Sequence, residues 1–267
     1  MNESSLPVVI LCGGQGTRLK EETEFRPKPM VQVGHRPLLW HIMRIYAHQG
    51  FSNFVLALGF KGHVIRDFFL NYRDHTADVS LSFGAEGTPD RREYHDPADI
   101  EGWKVTLAET GEHTATGGRI HQLRRFIGDR TFMMTYGDGV ADIDVPALLA
   151  QHRSSGRLAT VTGLRPQSRF GVIERAEDGS AVGFREKPRL DDYISGGFFV
   201  LEPEVLDYLD PDCVFEQGPL QRLAEEGQLG VYTHDGFWKS IDTYREFLEI
   251  NRMWSDGDRP WAIWEER

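Results

Sequence analysis

The 267-residue sequence predicts an α/β fold. Short apolar or β-branched runs alternate with longer stretches of helical spacing, and turn residues begin where the apolar runs stop. Neither a Ser/Gly-rich linker nor an internal repeat divides the chain. Such alternation is the rhythm of a sheet joined by crossover helices, so a single domain over residues 1–267 is expected, with the second half laid across one end of the sheet.

In chain order, Val8 to Leu11 reads as a buried first strand. Pro37 to Gln49 reads as a helix, because Leu38, Ile42, Ile45 and Gln49 recur at helical spacing and Pro37 suits a first turn. Asn53 to Leu58 is the next strand and Lys61 to Tyr72 a second crossover helix. Val79 to Phe83, Val105 to Glu109 and Thr131 to Thr135 are further strands, the last opening into Tyr136-Gly137-Asp138-Gly139, with a helix over Gly117 to Ile127 before it. The polar stretch from Phe83 to Trp103, broken by Gly84, Gly87, Pro89 and Pro97, is too long for an ordinary connection and reads as an excursion, a lid or a subunit contact. In the second half, Ala159 to Gly163, Val172 to Arg175, Ala181 to Arg185 and Ser195 to Val200 read as strands, with Asp178-Gly179 turning a hairpin. Trp254 to Arg267 reads as a peripheral helix or arm.

A formal charge of −11 repels polyanions, so neither nucleic acid nor an anionic membrane is an expected partner. A small anionic substrate needs only a few cations and aimed backbone amides inside a cleft. Cys12 and Cys213 have no partners at disulfide-framework or zinc spacing, which fits a reducing cytoplasm. The polar start, Met1 to Pro7, and the lack of a membrane-length apolar run predict neither signal peptide nor anchor.

The strongest local signal is Leu11-Cys12-Gly13-Gly14-Gln15-Gly16-Thr17-Arg18-Leu19, a glycine-rich turn directly after a buried strand. Glycines let backbone N–H groups approach a polyphosphate, and Arg18 adds a planar fork of donors. A dinucleotide fingerprint wants a small residue where Leu19 stands, and a P-loop wants Gly-Lys-Ser/Thr, which does not follow Gly13 or Gly14. In Arg26-Pro27-Lys28-Pro29-Met30 two prolines fix the backbone around Lys28, as befits a positioned cation, and Glu186-Lys187-Pro188 repeats the idea. Asp138, between two glycines at a strand end, and Asp242, after an apolar stretch, suit a magnesium ion completed by substrate phosphates. For Asp242 the rival reading is an N-cap on a helix starting near Thr243. Trp238 and Phe237 could stack on a hexose or pack in the core, and His41 with His48 share a helix face without a third zinc ligand.

In their order, Gly13-Gly14-x-Gly16-Thr17-Arg18-Leu19, Pro27-Lys28-Pro29-Met30, Tyr136-Gly137-Asp138-Gly139, Glu186-Lys187-Pro188, Gly196-Gly197-Phe198-Phe199 and Asp242-Thr243 resemble the bacterial sugar-nucleotide pyrophosphorylases over nearly the whole chain. Leu39-Trp40-His41-Ile42-Met43, Trp103-Lys104-Val105-Thr106-Leu107, Thr116-Gly117-Gly118-Arg119 and Asp235-Gly236-Phe237-Trp238 resemble its glucose-1-phosphate cytidylyltransferase subgroup. The resemblance implies a Rossmann-like domain with a mixed, mainly parallel sheet. Residues 1–140 would form a nucleotide-binding half and residues 141–267 a sugar-binding and oligomerisation half. It implies CTP and glucose 1-phosphate as substrates, Mg2+ as cofactor and a homo-oligomer. Leu11, Gly13, Gly14, Gly16, Thr17, Arg18, Lys28, Thr116, Gly117, Gly118 and Asp138 would hold the nucleotide, and Lys187, Gly196, Gly197 and Trp238 the sugar phosphate. Asp138 and Asp242 would hold the metal, and Arg18, Lys28 and Lys187 would act in catalysis. Arg26, Gln32 and Gly218 depart from the family's commoner lysine, glutamate and glutamate.

The implied reaction is in-line attack of a sugar-phosphate oxygen on the α-phosphorus, which needs no general base. The alternatives are the same chemistry with UTP or dTTP or another sugar 1-phosphate, then a catalytically silent subunit of the same fold, and a nicotinamide oxidoreductase, which Leu19 disfavours.

Overall fold

A computed structural model describes residues 5–95, 100, 102–168, 170–189 and 191–265. The first part runs β1 (Pro7–Leu11), α1 (Lys20–Thr23), β2 (Gln32–Val33), β3 (Arg36–Pro37), α2 (Leu38–His48), β4 (Asn53–Leu58), α3 (Gly62–Leu70), α4 (Tyr72–Thr76), β5 (Val79–Ser82), β6 (Arg91–Tyr94), β7 (Lys104–Glu109), α5 (Thr116–Gln122), α6 (Arg124–Ile127) and β8 (Phe132–Tyr136). It continues through β9 (Gly139–Ala141), α7 (Val145–Ser155), β10 (Ala159–Leu164), β11 (Val172–Arg175), β12 (Ala181–Arg185), β13 (Ile194–Leu201), α8 (Pro219–Glu225), β14 (Leu229–His234), β15 (Trp238–Ser240) and α9 (Tyr244–Asp256).

Among the described residues a seven-stranded sheet has the order β14-β10-β13-β8-β1-β4-β7. β1 pairs in parallel with β4 and β8, β4 with β7, and β10 with β14, whereas β13 runs antiparallel to β8 and β10. This is the mixed, mainly parallel sheet predicted from the sequence. Every residue of β1 is buried, because Val8 and Ile10 face a core shared with Ile42 and Met43 of α2 while Val9 and Leu11 face one shared with Ile120 and Ile127. A strand covered on both faces needs a continuous apolar run instead of an alternating one. The chain leaves β1 toward β4 on one side and returns through β8 on the other, so a crevice opens at their carboxyl ends.

Three expectations are corrected. The second half is not laid across an end of the sheet: β13 inserts beside β8, since its run from Gly196 to Leu201 is buried and needs partners on both edges. Val79–Ser82 belongs to a separate antiparallel hairpin with β6, its residues too exposed for the central sheet, and this hairpin makes up much of the Phe83 to Trp103 excursion. The segment after Trp254 is no peripheral arm, because Trp261 is fully buried against Trp254, His41 and Phe237. Met1–Ser4, the stretch 96–99, Glu101 and the final Glu266 and Arg267 lie outside the described residues.

Candidate active site

The glycine loop leaves β1 at the crevice. The Cys12 amide donates to Ala57 O at 3.0 Å, and the Gly137 amide after β8 donates to Leu11 O at 3.1 Å, so both loops start from the same strand end. Gly13 O then accepts from Phe60 N and from Arg119 Nη2. A side chain at Gly13 would meet the Arg119 guanidinium at 2.1 Å. Gly16 has φ +61 and sits 2.9 Å, measured from where a Cβ would lie, from the Thr23 methyl, so this turn requires glycine.

Pro27 is extended and Lys28 opens a single tight turn to Met30, which turns the buried Lys28 side chain inward. Its Nζ donates to Asp138 Oδ2 at 2.7 Å and to Asp242 Oδ1 at 2.6 Å. Those two carboxylates come together because β9 pairs with β15, Ser240 opposite Gly139, and the Ile241 amide donates to Asp138 O at 2.9 Å. The cap of α9 is Thr243, in a reciprocal capping box with Glu246, which leaves the Asp242 carboxylate free to face Lys28. The exposed Arg18 reaches the same Asp242 oxygen at 3.1 Å. Burial would raise the Asp242 carboxyl, but the Lys28 hydrogen bond and charge, with Arg18, outweigh it and hold the group below the usual carboxylate range.

Leu11, Gly13, Gly14, Gly16, Thr17, Arg18, Lys28, Thr116, Asp138 and Asp242 line one cavity of about 450 Å³. Thr114, Ala115, Arg119, Tyr136 and Val214 close its far wall. Asp138 and Tyr136 also line a smaller recess of about 60 Å³ with Gly196, Gly197 and Trp238. The Trp238 indole donates to Gly196 O at 2.9 Å and divides that recess from a third hollow of about 370 Å³ around Arg165, Arg189 and His234. Gly117 and Gly118 stand behind the wall: added side chains there would strike Cys213 Sγ and Pro211 O, and the Gly118 amide donates to Cys213 O. Lys187, at φ 44, stays largely exposed at the hairpin base beside Glu186 and lines none of these hollows.

Two features escaped the sequence reading. Arg119 is buried and bonds five acceptors, Leu58 O, Thr110 Oγ1 and Gly111 O through Nη1 and Gly13 O and Glu112 O through Nη2, which ties the ends of β4 and β7 to the glycine loop. Burial lowers its pKa, partly offset by Cys12 and Glu109. Tyr136 and Thr116 share the Glu216 carboxylate. A buried arginine looks like an exposed one in sequence, and Tyr136 and Thr116 lie 80 and 100 positions from the glutamate they share. Cys12 is no nucleophile, because burial pushes its thiol far up.

The arrangement juxtaposes loop amides, two cations and two carboxylates at the junction of a large and a small hollow, which suits a polyphosphate held against a second substrate. A 46% identical protein of Bacillus subtilis (strain 168), named a probable glucose-1-phosphate cytidylyltransferase, aligns over 97% of this chain and 100% of its own length. A glucose-1-phosphate cytidylyltransferase of Salmonella typhi is 43% identical over 97% of this chain and 100% of its own. The solved structure of HddC from Yersinia pseudotuberculosis, at 20% identity, superposes with a TM-score of 0.63 over 92% of this chain and 98% of that one, which shows a shared fold. The sequence profile of the nucleotidyl transferases matches residues 7–257, and with relatives this similar over nearly their full length the chain belongs to the nucleotidyl transferase family.

Proposed function

We propose that the protein transfers a cytidylyl group from CTP to α-D-glucose 1-phosphate, giving CDP-glucose and pyrophosphate. The observation that carries this reading is Lys28 bridging Asp138 and Asp242 where the large cavity meets the small recess, since a reacting phosphorus must lie between nucleotide and sugar. The relatives' names support the choice of CTP and glucose 1-phosphate.

In this reading a phosphate oxygen of the sugar attacks the α-phosphorus in line, the bond to the β-phosphate oxygen breaks and pyrophosphate departs. The attacking oxygen is already ionised at neutral pH, so the protein's task is to hold two polyanions together. The glycine-loop amides and Arg18 would hold the β- and γ-phosphates and Lys28 the α-phosphate, while Lys187, exposed outside these hollows, would have to swing inward to meet the sugar phosphate. Gly196, Gly197 and Trp238 would wall the hexose.

Asp138 and Asp242 fit a divalent cation, for which we propose Mg2+, because oxygens of both already converge on one cationic atom. No group of three or more His, Cys, Asp or Glu side chains converges among the described residues, so phosphates and water would complete the shell, the usual arrangement for magnesium. When bound, the ion would neutralise phosphate charge. We further propose a cytoplasmic homo-oligomer contacting through the hairpin that exposes Leu81 and Phe83. No helix among the described residues is long and apolar enough to cross a membrane.

Pyrophosphate release with glucose 1-phosphate and Mg2+, offering CTP, UTP, dTTP, ATP and GTP separately, tests the reading. Release with CTP alone is expected. Release with another triphosphate keeps the mechanism and overturns the base assignment, and silence with all five overturns the reaction.

A further inference from the structure

Glu216 takes no part in the chemistry above, yet it grips both ends of the site. This half-buried carboxylate accepts the Tyr136 hydroxyl on Oε1 and the Thr116 hydroxyl on Oε2, the latter at 2.6 Å. The Thr116 hydroxyl accepts in turn from Phe215 N at 3.0 Å, so its proton is spent within the protein. Thr116 walls the large cavity only, whereas the Tyr136 ring stands between that cavity and the small recess. The ring abuts Gly197, where φ is +79 and a Cβ would lie only 2.7 Å from Tyr136 Cδ2, so a side chain has no space. Burial, followed by the Glu216 charge, pushes the Tyr136 phenol up, so the hydroxyl stays a donor.

We propose that Glu216 is a positioning residue that sets the nucleotide wall at Thr116 and the partition at Tyr136 together, so that one carboxylate aligns the two substrate subsites. This rests on the transferase reading above. Both oxygens are engaged, and neither hydroxyl has a second acceptor among the bonds described. Removal of the carboxylate therefore frees a wall of each subsite at once, and small misplacements of reacting groups carry large rate penalties.

Steady-state kinetics with CTP and glucose 1-phosphate on wild type, Glu216→Ala, Glu216→Gln, Tyr136→Phe and the Glu216→Ala/Tyr136→Phe pair tests this below every variant's melting temperature. For Glu216→Ala, kcat/KM is expected to fall on the order of 10²-fold, with KM raised for both substrates. Glu216→Gln keeps length and one acceptor oxygen but sets a donor amide against the other hydroxyl, so its loss is about half as large in logarithmic terms, and Tyr136→Phe adds nothing to Glu216→Ala because the two act as a unit. Should the alanine variant fail to fold, Glu216→Gln with and without Tyr136→Phe makes the same comparison. A variant with lowered Tm but unchanged KM for both substrates, or additive losses in the double variant, overturns the proposal and leaves the reaction standing. If wild type prefers another substrate pair, the variants are scored on that pair. Wild type silent with every pair overturns the reaction and this inference together.

Discussion

Lys28→Met removes the cation between Asp138 and Asp242 while nearly preserving side-chain length, and the structure gives the scale of the effect. The two carboxylate oxygens lie no farther apart than the sum of their 2.7 Å and 2.6 Å contacts with Nζ. At an effective dielectric of ~20 two such charges repel by ~3 kcal/mol. The Asp138 and Asp242 side chains are 36% and 24% exposed, so solvent screening reduces the expected loss of stability to ~1–2 kcal/mol at pH 7. The pH dependence has a definite sign. Lys28 helps hold the Asp242 pKa below its unfolded value, a contribution present above the ordinary carboxylate range and lost as pH falls through the folded pKa. The gap between wild type and variant should therefore be full at pH 7 and close as Asp242 protonates below pH ~4. Urea titrations at pH 7 and pH ~3, each with and without Mg2+, measure it, and Mg2+ should stabilise the variant more than the wild type at pH 7. Equal stability at both pH values with no preferential effect of Mg2+ would refute the argument that the two carboxylates depend on a shared cation.

Asp138→Asn should lower pyrophosphate release by ~10²-fold or more with an unchanged urea midpoint, and unchanged turnover would remove Asp138 from the site. His41, fully buried, has its pKa pulled down to about 4 by burial, with Nε2 facing Val33 O and Trp261 Nε1 near Nδ1. Its unfolded form binds a proton first, so stability should fall by ~3 kcal/mol as pH drops from about 6.5 to about 4, and His41→Gln should flatten that limb of a urea-midpoint profile. Arg119→Met removes the five hydrogen bonds that tie the ends of β4 and β7 to the glycine loop and should cost ~3 kcal/mol in urea unfolding, and a loss under ~1 kcal/mol would show that water replaces the guanidinium.

Short-range physics made much of this protein readable. β1 announces itself as a continuous apolar run because it is covered on both faces, and the Gly13 to Arg18 turn and the Pro-Lys-Pro clamp restrict the backbone locally enough to be recognised without partners. The same holds for the hairpin at Asp178-Gly179, since turn type depends on adjacent residues. Only tertiary structure removed the N-cap reading of Asp242: the capping box at Thr243 and the β9–β15 ribbon turn its carboxylate onto Lys28, 214 positions away. Tertiary structure likewise placed β13 inside the sheet, sent Trp261 into the core, buried Arg119 beneath the glycine loop and joined Thr116 to Tyr136 through Glu216. Each of these depends on contacts between distant segments, and an arginine, glutamate or tryptophan carries the same local pattern whether it faces solvent or a partner from across the chain.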